Sequence, residues 1–433
     1  MAKKSKKNNK SAIIIFVLSI LVIAGFLLIF SNPSFWFKKS IHEDAKRYST
    51  KHCLVFYPNN DEAKEYAKAM AKGVKDDIVY DYSLVPYGDY YLVSYGNGVE
   101  YFVDKEYNSI SINEISEKGQ RIIGDYLRYT MKKQNPEAYY DAEFIASTTI
   151  DKIDFSNVTY EIKGENLKCY FPQYELDVLV PLKYMQTEIG MNFNYPNETY
   201  IKPVYIDPNP EHPVMCLTFD DGPAFWFEPE NNCSSRIVDV LYKYDANATF
   251  YTVGYALESE DEWTEYQKYS FLSRSINNGN EYGSHTGGHD DLVNDVSSAD
   301  SIKKVIQEPA DYLKELCDYE VTTYRPPGGT FDETTLAAQQ YPAILWNTDS
   351  GDWDTRNPET IINQVLKYDY YDGDIVLFHD IYDETADAVE KIVPELINRG
   401  YQLVTVKDML DYVGINVETL SYYYNFNPSP YYE

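Results

Sequence analysis

Apolar residues follow three different patterns along this chain. Residues 12–30 form a run of 19 without a single charge. As a helix this run would cover roughly 28 Å, close to the thickness of a bilayer core. Lys3, Lys4, Lys6, Lys7 and Lys10 precede it with no acid among them, which predicts a cytoplasmic N-terminus. A cleaved signal peptide would have a shorter apolar region, roughly 7–15 residues, ending in a small-x-small site. Here residues 26–30 stay bulky, so the pattern predicts an uncleaved, single-pass anchor in the cell membrane, with the rest of the chain extracellular.

Residues 32–204 read as a mixed α/β region. A helical pattern covers 61–72 and a longer one 113–133. Strand patterns over 90–95 and 99–103 flank Asn97-Gly98, a strong hairpin signal. Short strands are predicted over 158–162, 167–171 and 176–180. No cluster of catalytic residue types falls here, and the region reads as a spacer or accessory module. Four prolines between 203 and 213 mark a linker.

From 214 onward, apolar strand patterns alternate with helical ones. Strands are predicted at 214–219, 248–253, 281–284, 321–325, 343–347, 374–378 and 402–406. Helices are predicted at 235–244, 263–277, 300–317, 333–339, 359–367, 385–398 and 407–412. This alternation implies parallel strands joined by right-handed crossovers, closed into a barrel or laid out as a doubly wound sheet. Either architecture puts chemistry at the C-terminal ends of the strands. The domains expected are a basic tail (1–11), the anchor (12–30), the α/β region (32–204), the alternating domain (205–415) and a Tyr-rich tail (416–433).

Composition narrows the partners. The chain of 433 residues carries a net charge of −30, and −35 once the five N-terminal lysines are set aside. Nucleic acid is excluded as a partner, because its binding depends on Lys and Arg neutralising phosphates. The five cysteines form no C-x-x-C pair, which excludes a zinc ribbon or a thioredoxin-like motif. The 44 tyrosines suit half-buried strands.

Five short motifs fall at predicted strand ends. Asp220-Asp221-Gly222-Pro223 places two adjacent carboxylates where joint ionisation is costly unless a cation lies nearby. His285-Thr286-Gly287-Gly288-His289 spaces two of only six histidines at i and i+4, a helical-turn spacing suited to one metal. Arg325-Pro326-Pro327-Gly328-Gly329 joins a permanent cation to a stiff turn with a close-approach backbone. Asp349-Ser350-Gly351-Asp352-Trp353 offers carboxylates beside an aromatic wall. Leu377-Phe378-His379-Asp380 ends a strand in a histidine suited to proton transfer.

In this order, the five motifs resemble those of the polysaccharide deacetylase (NodB-homology) family, carbohydrate esterase family 4, over about 213–414. The segment 166–176 also resembles extracellular modules that precede the deacetylase in anchored peptidoglycan deacetylases. The resemblance implies a distorted (β/α)7 barrel and a hydrolase acting on N-acetylated polysaccharide. It implies one divalent metal, most simply zinc, bound by Asp221, His285 and His289. Asp220 would take a proton from water, and Arg325 would orient Asp220. The backbone N–H of Gly328 would hold the oxyanion. His379 would protonate the leaving amine, held by Asp352, while Trp353 and Leu377 would line the acetyl pocket. Three departures stand out, one being Gly288, in a glycine pair that loosens the second motif's turn. Gly328 replaces a usual aromatic, and residues 224–234, with Phe225, Trp226 and Phe227, make a longer loop that would cover the groove.

The expected function is therefore removal of acetyl groups from cell-wall peptidoglycan N-acetylglucosamine. A deacetylase of chitin, acetylated xylan or poly-N-acetylglucosamine is the alternative within enzymes, and an inactive wall-binding protein the alternative outside them.

Overall fold

The computed structural model describes residues 46–426 with gaps, the longer ones at 58–63, 73–77, 106–109, 225–231 and 415–421. The anchor at 12–30, the Asn97-Gly98 turn and the aromatic part of the 224–234 loop lie outside the described residues, as does part of the 61–72 helix. Among the described residues no helix is long and apolar enough to cross a membrane.

The chain divides into two compact units. One comprises Met1–Ile115, Tyr160–Lys168 and Pro181–Asn197. Its hairpin strands, Tyr90–Tyr95 and Val99–Asp104, pair antiparallel with Tyr95 opposite Val99, and Tyr82–Tyr87 adds a third strand. Phe193 packs against Tyr90 and Phe102 at ring distances of 4.8 and 4.9 Å.

The second unit comprises Ser116–Thr159, Cys169–Val180 and Glu198–Glu433. Its helix Glu117–Gln134 starts where the Ser116 side chain accepts a hydrogen bond from the Gly119 N–H. The buried Arg128 of this helix donates to the carbonyls of Thr148 and Tyr242 at 3.0 and 3.1 Å. Asp245 receives Lys202 at 2.9 Å and the Tyr139 hydroxyl at 2.7 Å.

In this unit Val214–Asp220 is the central strand. Ala248–Thr252 and Asp374–His379 pair parallel on either side of it. Glu281–Ser284 extends one edge and Thr348–Asp349 the other. Single bridges from Ser284 to Tyr324 and from Tyr324 to Ala343 carry the pairing back to the segment that contains Thr348, so the parallel circuit closes into a ring.

Three predicted strands are shorter than expected. The fourth, at 321–325, is only the Tyr324 bridge, because Pro326 and Pro327 follow at once and cannot donate to a ladder. The fifth, at 343–347, is split into Ala343–Ile344 and Thr348–Asp349. Between them the Asn347 side chain takes over, accepting from the Ile375 N–H at 2.8 Å and donating to Asp374 at 2.6 Å. The last is Gln402–Leu403, because Thr405 already caps the helix Val406–Val413. The helices predicted from 235 onward match to within two residues at each end, for example Asp383–Asn398 and Ala299–Cys317, whereas the one predicted at 113–133 starts four residues later, at Glu117.

Side-chain alternation sorts the layers. Phe219, Phe250, Phe378 and Tyr282 stack in a row at centroid distances of 5.1–5.4 Å. They form one core with Ile237, Leu241, Val389 and Ile392 of the covering helices. Thr218 and Asp220 point the other way, into the ring. The Tyr-rich tail adds a strand that the pattern did not predict. Tyr422–Tyr423 pairs parallel with Ala343–Ile344, and Phe426 is buried among Cys216, Ile344 and Ile375.

Candidate active site and metal centre

The central strand ends at Asp220, in register with Tyr251 and His379 on its two neighbours. Asp221 follows with φ of +74°, a left-handed turn that aims its carboxylate across the ring end. Gly222 has no alternative here, because a Cβ would lie 2.0 Å from a carboxylate oxygen of the buried Asp380.

His285 and His289 meet Asp221 from the third strand end. Both Nε2 atoms lie 3.4 Å from Asp221 Oδ1, and the ligand atoms of all three residues fall within 4.8 Å of one another. The two histidines do not share a helical turn as their spacing predicted. Thr286 and His289 both have positive φ, and the carbonyls of Thr286 and Gly287 accept from the N–H groups of Gly254 and Tyr255. The loop is thus pinned to the neighbouring strand end, and the convergence comes from tertiary structure.

The three residues fit a cation. His285 Nδ1 lies 2.8 Å from the Arg325 carbonyl, which can only accept. Nδ1 therefore carries the proton and Nε2 presents a lone pair. Burial holds His285 below the usual imidazole range, against the charges of Asp220 and Asp221, which favours the neutral ligand form. Asp221 Oδ1 is buried and has no hydrogen-bond partner, a cost that a cation would remove.

Arg325 is completely buried, and all three of its guanidinium nitrogens donate. It donates to the carbonyls of Ile344 and Leu345 at 2.8 and 2.9 Å, to the Thr218 hydroxyl at 2.8 Å and to Asp220 Oδ1 at 2.8 Å. Tyr251 and Trp346 lie against the guanidinium at 4.3 and 5.4 Å. The Leu345 N–H in turn donates to the Tyr423 carbonyl at 2.7 Å, so the tail strand backs the segment that holds Arg325.

On the opposite flank, His379 Nδ1 lies 2.8 Å from Asp352 Oδ1, and the His379 N–H donates to Oδ2 at 2.7 Å. Asp352 is fully buried and also accepts from Trp353 N–H and the Thr385 hydroxyl. Burial alone would push the imidazole down. The hydrogen bond and charge of Asp352, with Asp220 and Asp221 beyond, outweigh it and raise His379 to about 9.

The remaining predicted residues separate. Leu377 is buried, whereas Trp353 is 55% exposed. Gly328 has φ of +64° and open space where a side chain would project. Several residues that support the site were not assigned from sequence. Thr218 lies just before the paired carboxylates, and Tyr251 in a segment that shares the family resemblance, but neither has a role legible there. Trp346 and Thr385 lie in no motif, and all four work through packing and hydroxyl contacts. Asp380 was visible only as a nearby acid. Burial lifts it to about 7, and its Oδ1 has no partner.

A parallel α/β ring with an Asp-His-His cluster, an arginine-held carboxylate and an aspartate-held histidine at the strand ends has the makings of a metal-assisted hydrolase. The chain belongs to the polysaccharide deacetylase family. The family model described as polysaccharide deacetylase matches residues 207–343. A peptidoglycan-N-acetylglucosamine deacetylase of Bacillus cereus is 32% identical over 214 residues, 47% of this chain and 91% of that protein. The peptidoglycan-N-acetylmuramic acid deacetylase PdaC of Bacillus subtilis is 29% identical over 304 residues, 65% of this chain. That match spans 61% of the length of the Bacillus subtilis protein. A solved structure of peptidoglycan deacetylase PdaC from Bacillus subtilis is 32% identical with a TM-score of 0.41, covering 47% of this chain and 92% of the solved one.

Proposed function

We propose that this chain hydrolyses the acetamide of N-acetylglucosamine in cell-wall peptidoglycan, from a position outside the membrane held by residues 12–30. The observation that carries the reading is the convergence of Asp221, His285 and His289 between two proton-transfer pairs of opposite character. Asp221, His285 and His289 would hold one divalent cation, most simply zinc, whose three protein ligands suit a catalytic site. Such an ion supplies Lewis acidity toward the amide carbonyl and acidifies water.

The chain's own residues do the rest. Asp220, oriented by Arg325, takes a proton from the attacking water. His379 carries the proton that the sugar amine needs as the C–N bond breaks. Asp352 fixes the His379 tautomer, so that Nε2–H faces the leaving group. The Gly328 N–H is the candidate donor to the developing oxyanion, and Leu377 with Trp353 would flank the acetyl methyl.

Acetate released from purified peptidoglycan by the zinc-loaded protein tests this. Asp220→Asn should lower the rate by roughly 10²–10⁴-fold. An unchanged rate in that variant would rule the mechanism out.

A second reading has its own observation. The open space at Gly328 leaves room beside the site for a bulkier sugar substituent, and one relative is named for N-acetylmuramic acid. Identifying which sugar has lost its acetyl group in digested peptidoglycan separates the two.

A further inference from the structure

The helix Glu262–Asn277 buries Lys268, Phe271, Leu272 and Ser275 against the ring. Its outer face should be polar, yet it presents Trp263, Tyr266 and Tyr269, which are 66, 60 and 47% exposed. Single exposed aromatics are ordinary, but a regular row is not. The three are spaced i, i+3, i+6, so they step along the helix by about 4.5 Å each. The first two rings lie nearly parallel, 29° apart, with centroids 6.2 Å apart.

The helix begins at the end of the molecule that holds the site. Its N-cap, Asp261, follows the strand Ala248–Thr252 and the short turn Gly254–Leu257. Tyr255 of that turn, 45% exposed, donates its N–H to Gly287, between the two histidines. One exposed aromatic thus stands beside the metal loop, and three more stand on the helix that follows it in the chain.

The charges choose the occupant. Glu262 and Glu265 are exposed, one turn before Tyr266 and Tyr269 on the same face. The first cation along the helix, Lys268, is buried and donates to the Glu258 carbonyl. This face repels an anionic lipid surface. A second copy of so acidic a chain is also disfavoured. Rings flanked by carboxylates suit a chain of pyranose rings that carries ammonium groups. Aromatic faces attract such cations and also pack against the apolar faces of sugars.

We infer that Trp263, Tyr266 and Tyr269, with Glu262 and Glu265, form a secondary binding surface for an amino-sugar strand that has already lost acetyl groups. The inference rests on the deacetylase reading, since that reaction creates the ammonium groups. The surface would retain a partly processed strand beside the site.

The test uses the full chain carrying Asp220→Asn, so that the probes are not turned over. The probes are a β-1,4-linked glucosamine hexamer and its fully N-acetylated counterpart, titrated calorimetrically. Replacing Trp263, Tyr266 and Tyr269 together by alanine should weaken binding of the glucosamine hexamer about tenfold or more. Glu262→Gln with Glu265→Gln should remove most of the preference for that hexamer over the acetylated one. With Asp220 intact, acetate release from an N-acetylglucosamine trimer should be unchanged by the alanine substitutions. Equal binding by the wild-type and triple-alanine surfaces would overturn the proposal. So would a triple variant whose only loss is binding to phosphatidylglycerol vesicles, or self-association. If the intact chain released no acetate while hexamer binding still depended on the three rings, the deacetylase reading would fall and the glycan surface would stand.

Discussion

Two half-buried aspartates at opposite ends of the same parallel strands illustrate what a charge can be for. Asp245 lies before the strand Ala248–Thr252, and Asp221 follows the end of Val214–Asp220. Asp245 has both oxygens engaged, one by Lys202 and one by the Tyr139 hydroxyl, with Arg128 at 3.9 Å. Burial alone would raise it, but Lys202, Arg128 and Lys132 more than offset that and hold it at about 2. Asp221 Oδ1 has no hydrogen bond and faces two imidazole nitrogens. A fully partnered carboxylate of this kind stabilises the fold. One left open at a strand end is kept for a ligand.

The contrast is broken most directly by removing the partnered aspartate. Asp245→Ala leaves Lys202 and Arg128 buried without their anion and should cost about 3–5 kcal/mol, read by denaturant titration. Acetate release per folded molecule should be unchanged. The sign with pH is fixed by the depressed native value. Stability from Asp245 is present above the unfolded pKa, roughly 3.9, and is lost as pH falls through about 2. The alanine variant should lack that acid-side loss.

The tail strand lies between the two cases, because it supports both the core and the site. Phe426→Ala should cost about 3 kcal/mol through the cavity it leaves. It should also lower kcat several-fold with KM unchanged, by loosening the Leu345 segment that holds Arg325. A stability loss with unaltered kcat would make the tail a core element only.

The smallest effect sharpens the functional end. His379 must be protonated to act as an acid, and its raised value keeps it charged up to about pH 9. Asp352→Asn removes the main cause. The alkaline limb of the pH–rate profile should shift down toward the ordinary imidazole range, roughly 6.5. At pH 6 the variant should lose much less activity than at pH 8.

The site was largely legible in the sequence, because its residue types are scarce and punctuate strand ends. Six histidines in the whole chain made His285, His289 and His379 conspicuous. What stayed hidden has physical causes. Arg325 is held by two carbonyls and a threonine hydroxyl, partners that every sequence contains everywhere. The ring's fourth and fifth strands are shorter than their apolar pattern implies, since proline and the Asn347 side chain replace ladder bonds there without changing that pattern. The tail strand of two tyrosines is too short for any periodicity to show.

The central claim is that Asp221, His285 and His289 grip one cation together. Titrating metal-stripped protein with zinc, followed calorimetrically, tests it most directly. The prediction is one tight equivalent in the wild type and in Asp245→Ala. In Asp221→Ala the affinity should fall by more than the roughly 10–100-fold that losing a ligand's supporting partner costs. Equal stoichiometry and affinity with and without the Asp221 carboxylate would contradict the account.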